Sequence, residues 1–116
     1  MSAERADADR LRDMLRAVRS VRAGMSDGGL TFEHDEMVQM AVVHSLQVLG
    51  EAAAGLSGEL RACHPDVPWR LIIGMRNQIV HKYFDVDLTV VRETALRDLP
   101  VIESQVSAIL DALPGG

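Results

Sequence analysis

Apolar residues recur at helical spacing through four stretches of the chain, separated by clusters of turn formers. From about Glu4 to Ala23, one stripe carries Leu11, Met14 or Leu15, Val18, Val21 or Arg22, and Met25, which predicts an amphipathic first helix. Gly24, Ser26, Asp27, Gly28 and Gly29 end it, and Phe32 to Asp35 lead into the next element. Between about Glu33 and Leu56, the positions Met37, Met40 or Ala41, His44, Leu46, Val48 or Leu49, and Ala52 or Ala53 repeat with helical period and predict one long second helix. Ser57, Gly58, His64, Pro65, Asp66 and Pro68 then read as a short loop, with Pro68 suited to the first turn of a third helix. In that helix, WRLIIGMRNQIVHKYF, apolar residues cover nearly every direction around the axis, so it should be mostly buried. Asp87 is a plausible N-cap for a fourth helix to about Leu113, bent or broken at Pro100. No internal repeat, low-complexity tract or linker interrupts the pattern. The expectation is an all-α, up-and-down antiparallel bundle of four to five helices, with residues 1–116 forming a single domain.

Composition agrees with helices. The hydrophobic fraction is 47% but aromatics are only 3%, so a core of Leu, Val, Ile, Met and Ala is expected. A lone cysteine, Cys63, cannot close an intramolecular disulfide, and with His64 alone it lacks the further ligands of a structural zinc site. No apolar run approaches the roughly 18 residues of a membrane span, and a cytoplasmic location is expected. The net charge of −5 argues against a broad basic face that grips long nucleic acid, so neither DNA nor a membrane is an expected partner. Any RNA contact must be local. Eleven of the 12 basic residues are nevertheless arginine, and six of them lie between Arg5 and Arg22, where they read as a solvated helix face.

The third helix holds the candidate chemistry. Arg76, Asn77 and His81 interrupt its apolar run, and burying such groups is costly unless each finds a partner or lines a wet groove. On an ideal helix Asn77 and His81 are an i,i+4 pair, Arg76 and Tyr83 lie about 20° apart, and Arg76 and His81 about 140° apart. Arg76 and His81 therefore meet around one phosphate only through side-chain reach, a distorted helix end or a partner chain. The residues alone leave blander roles open: Arg76 could pair with a buried acid such as Glu51, His81 could be a satisfied core histidine, and Tyr83 could anchor the helix end. An Arg-x4-His spacing arises by chance roughly 0.4 times in a chain of this composition, so the context must carry the claim.

That context is the run HPDVPWRLIIGMRNQIVHKYFDVD, preceded by LGEAA at residues 49–53, which closely resembles the HepT toxins among the HEPN ribonucleases. The signature of those proteins, Arg-x4-His-x-Tyr, is matched by Arg76, His81 and Tyr83, with Asn77 as the polar residue after the arginine. The resemblance runs from the arginine-rich first helix to the DLP at residues 98–100; the first loop and the tail match loosely. It implies a homodimeric, metal-independent endoribonuclease without a cofactor, the toxin of a toxin–antitoxin pair. Its cognate antitoxin would be a minimal nucleotidyltransferase that attaches AMP to Tyr83. Arg76, Asn77 and His81 would then be the catalytic residues. Histidine suits the acid/base role because its pKa lies near neutrality, and arginine's fork suits a phosphate whose charge grows in the transition state. Gly50 and Glu51 would serve packing or support, and His34, His44 and His64 loop or core roles.

Two other readings compete. A non-catalytic HEPN partner that binds a nucleotidyltransferase or its nucleotide would not require both Arg76 and His81. A purely regulatory helical dimer would leave the polar trio unexplained.

Overall fold

The computed structural model describes residues 2–81 and 87–114, with the side chains of 77–81 outside the description. Its elements are α1 (Ala3–Gly24), α2 (Leu30–His34), α3 (Glu36–Ala54), α4 (Gly58–Cys63), α5 (Trp69–His81), α6 (Leu88–Glu93) and α7 (Leu99–Ala112). A π-helical turn, Thr94–Asp98, joins the last two. Every element among the described residues is helical.

α1 begins at Ser2, whose side chain accepts a hydrogen bond from the amide of Arg5, and its apolar stripe of Leu11, Met14, Val18 and Val21 is fully buried. α3 lies antiparallel to it. Gly24 near the end of α1 sits against Val42 of α3, while Asp7 and Arg10 at the beginning of α1 meet Ser57 and Gly55 beyond the end of α3. α7 also runs antiparallel to α1, with Arg22 paired to Glu103 at 2.8 Å and Leu110 beside Arg16. α5 packs on the other flank of α3. A single core threads these elements, from Leu11 and Val18 through Leu46 and Leu49 to Ile72, Leu99 and Ile102.

Several boundaries depart from the expectations, each for a local reason. The long second helix is interrupted at Asp35, whose carboxylate accepts from the amides of Met37 and Val38 and so starts α3 anew. Phe32, buried in the short α2, holds the preceding segment to the core. Gly28 and Gly29 enter that segment with φ of 74° and 89°, a conformation that favours glycine, and the Arg92 guanidinium donates to the Gly28 carbonyl. Close by, the Thr31 hydroxyl holds the Asp27 carboxyl below its usual pKa. The expected loop after Leu56 contains α4, because Ser57 caps it through the amide of Leu60, and Leu60 itself is buried. α5 starts next to Pro68, whose carbonyl accepts from Ile72, and the Trp69 indole donates to the His64 carbonyl at 2.9 Å. Asp87 does cap the helix that follows, bonding to the amides of Thr89 and Val90. The helix expected to bend or break at Pro100 is divided just before it: a π turn separates α6 from α7, and Pro100, with no N–H to offer, lies in the first turn of α7.

The periodic positions of the second helix divide between two faces of α3. The core face of α3 is Val42, Val43, Leu46, Leu49, Gly50, Ala52 and Ala53, whereas Met37 (81% exposed), Met40, His44 and Val48 face outward. α3 is apolar on two opposite faces, and spacing alone does not say which one the core takes.

Among the described residues Asp7 is the buried acid, accepting from the Ser57 amide at 2.8 Å and from its hydroxyl at 2.6 Å. It ties the second turn of α1 to the cap of α4. Asp7→Ala should lower the unfolding free energy by about 1–3 kcal/mol in urea titrations, since it strands a partly buried amide and hydroxyl. Asp7→Asn should recover part of that loss, and wild-type stability in both variants would contradict the role.

Candidate active site at the contact of α3 and α5

α5 can approach α3 closely because position 50 has no side chain. A Cβ added to Gly50 would lie 2.7 Å from the Arg76 Cβ, 3.0 Å from the Arg76 amide nitrogen and 3.0 Å from the Ile72 carbonyl oxygen. Only glycine permits this spacing between the two backbones. Ile72, fully buried, and Met75 face the core from α5, so Arg76 is carried to the rim of the helix pair.

There the Arg76 guanidinium meets Glu51, with Nε 3.5 Å from Oε1. The arginine side chain is 31% exposed and the glutamate 59%. The pairing considered from sequence therefore exists, but Glu51 is a surface acid. A partly exposed ion pair of this kind contributes modestly to stability, and either partner can exchange it for a more highly charged ligand. Arg76 thus combines a backbone fixed by packing with a partly exposed side chain beside Glu51.

α5 runs unbroken to His81, so the backbones of Arg76, Asn77 and His81 share one continuous helix, with Asn77 and His81 one turn apart. The side chains of Asn77 and His81 lie outside the described residues, as does Tyr83. Gly50 and Glu51, assigned to packing or support, both touch Arg76. Of the other histidines, His34 and His44 are exposed and His64 caps the end of α4, so neither His34 nor His44 is a core residue.

The expectation that α5 is mostly buried does not hold for the single chain. Among its described side chains only Ile72 and Met75 are buried, and Leu71 is 47% exposed. Among the described residues α5 packs chiefly on α3, and Leu71 faces solvent.

The family model for HepT-like ribonucleases matches residues 11–109, from the arginine-rich first helix to the last one. The chain belongs to that family. A protein of Caldanaerobacter subterraneus named as a candidate RNase is 41% identical over 85 residues, covering 71% of this chain and 76% of its own. The probable ribonuclease HepT of Thermococcus cleftensis is 30% identical over 105 residues, covering 88% of this chain and 94% of its own. A further candidate RNase, from Methanocaldococcus jannaschii, is 32% identical over 78 residues, or 67% of this chain and 72% of its own. No solved structure matches significantly. Membership in this family supports ribonuclease activity and an RNA substrate. Among the described residues no helix is long and apolar enough to cross a membrane, and no group of three or more His, Cys, Asp or Glu could hold a metal ion.

The close contact at Gly50 has a measurable sign. An alanine there gains about 1 kcal/mol of helix propensity but forces two backbones apart, an overpacking cost of about 1–3 kcal/mol. Gly50→Ala should therefore be neutral to about 2 kcal/mol less stable by urea unfolding. Gly74, also on α5, has no described atom within 4 Å of an added Cβ. Gly74→Ala should gain about 0.5–1 kcal/mol, because only the propensity term applies there. A Gly50→Ala variant as stabilised as Gly74→Ala would mean that α3 and α5 do not touch at this point.

Proposed function

We propose that the protein is the toxin of a toxin–antitoxin pair, a metal-independent endoribonuclease that cleaves RNA through the ribose 2′-hydroxyl. The observation that carries this reading is the position of Arg76, its Cβ packed against Gly50 and its partly exposed side chain beside Glu51, within the family-matched residues 11–109 that also contain His81. Arg76 binds the scissile phosphate, exchanging Glu51 for it, and offsets the charge that develops on the nonbridging oxygens. His81 transfers the proton of the 2′-hydroxyl or of the leaving 5′-oxygen, and Asn77 orients the reacting groups.

One chain offers a single histidine from the signature, whereas in-line transfer uses both a base and an acid. The active form in this proposal is a homodimer that joins the α5 helices around one cleft in the cytoplasm. Two features support it: the outward apolar stripe of α3, with Met37, Met40 and Val48 exposed, and the exposed Leu71 of α5. Tyr83 is the regulatory position, which accepts AMP from a cognate minimal nucleotidyltransferase. Each AMP adds a phosphodiester charge of about −1 and a nucleotide that competes with RNA for Arg76.

The purified protein should cut RNA in excess EDTA, and Arg76→Ala and His81→Ala should each lower the rate at least about 100-fold. Arg76→Ala keeps the Cβ that meets Gly50, so circular dichroism should show unchanged helicity. Loss of activity on chelation, or full activity in either variant, would sink the assignment.

Incubation with antitoxin and ATP should add AMP-sized increments to the intact mass of the wild type and none to Tyr83→Phe. Increments that persist in the variant would place the modification elsewhere.

A further inference from the structure

The six arginines between Arg5 and Arg22 have no part in the centre at α5. They are not evenly solvated. Arg12, Arg16 and Arg19 fall within about 60° of one another on the shoulder of α1 and are spread over about 10 Å of its length. Together with Ser20 and Ala23 of α1 and Leu110 of α7, they line an open hollow of about 540 Å³. The small side chains of Ser20 and Ala23 leave room between the two helices, and Leu110 forms an apolar patch in the wall.

Each of these arginines has an acidic neighbour: Arg12 pairs with Asp9 at 3.0 Å, Arg16 with Asp13 at 3.4 Å and Arg19 with Glu103 at 3.8 Å. None of the three carboxylates lines the hollow. Its charged lining is therefore wholly cationic in a protein of net charge −5. Exposed ion pairs of this kind are weak in water and give way to a ligand of higher charge density. Guanidinium forks suit phosphate oxygens, and three of them along about 10 Å reach successive phosphates of a strand rather than one isolated anion.

We propose that this hollow is a backbone-binding site for single-stranded RNA, which holds substrate outside the cleavage centre. The proposal rests on the reading of the protein as a ribonuclease. In this arrangement Arg12, Arg16 and Arg19 supply affinity without sequence preference, and the overall negative charge keeps RNA from other surfaces.

The test is the affinity of a fluorescent 2′-O-methyl oligonucleotide of about 12 residues, long enough for a single-strand site and unable to be cut, read by anisotropy at several salt concentrations. The triple variant Arg12→Gln, Arg16→Gln, Arg19→Gln should bind on the order of tenfold more weakly, and its salt slope should fall by about 2. A charge-matched control, Arg10→Gln, Arg70→Gln, Arg97→Gln, changes exposed arginines outside the hollow and should bind like wild type. On cleavable RNA the hollow variant should show a raised KM with kcat within about twofold of wild type, because bound substrate still reaches the same groups. Unchanged affinity would leave the arginines to another partner, such as an acidic protein surface, and would overturn the proposal. So would equal losses in both triple variants, or no binding by wild type at low salt. If wild type binds the oligonucleotide but cuts no RNA, the ribonuclease reading fails while the comparison of variants still decides the site.

Discussion

Gly50 sets the distance between α3 and α5, and the position of the Arg76 main chain follows from that distance. With the backbones this close, a Cβ on residue 50 would stand 2.7 Å from that of Arg76, so the arginine's main chain is fixed by packing rather than by its own ion pair. Ile72 and Met75 anchor the same helix to the core on one side. From that contact the Arg76 side chain reaches Glu51, with Nε 3.5 Å from Oε1. An arginine whose main chain is set by packing has its geometry settled before any ligand arrives, and a partly exposed ion pair such as the one with Glu51 is weakly held.

The surface of the molecule divides in a way that suits this chemistry. α3 carries exposed Met37, Met40 and Val48, and α5 carries exposed Leu71. The shoulder of α1 instead carries arginines around a hollow shared with α7. These exposed apolar residues and the cationic hollow thus belong to different helix pairs, so a second protein chain and a nucleic-acid strand need not compete for the same surface.

Much of this was legible in the sequence because helical period and capping residues act locally. The stripe of Leu11, Met14, Val18 and Val21 is buried as its spacing requires, and Asp87 caps the helix that follows it. Where two local signals competed, the pattern misled. The apolar period runs straight through Asp35, yet its carboxylate takes two amides and divides the segment into α2 and α3. Ser57 likewise builds α4 inside a stretch dense in breakers. The choice of face on α3 was illegible for a different reason: Met37, Met40 and Val48 are as apolar as Val42, Leu46 and Leu49, and only tertiary packing selects between them. At the candidate site the signature residues were visible as polar interruptions of an apolar helix. That Gly50 and Glu51 would be the neighbours of Arg76 depends on how α3 and α5 cross, which no spacing along one helix encodes.

The central claim is that an arginine and a histidine of α5 direct an RNA's own 2′-hydroxyl against its phosphate. The most direct measurement is the chemical identity of the product ends, read by mass spectrometry after digestion of a defined oligoribonucleotide in excess EDTA. Internal transfer requires 2′,3′-cyclic phosphate on one fragment and a free 5′-hydroxyl on the other, and a single 2′-deoxy substitution at the cleaved residue should abolish the cut. A 5′-phosphate on the downstream fragment, or cleavage that survives the deoxy substitution, would show that water is the nucleophile and contradict the account.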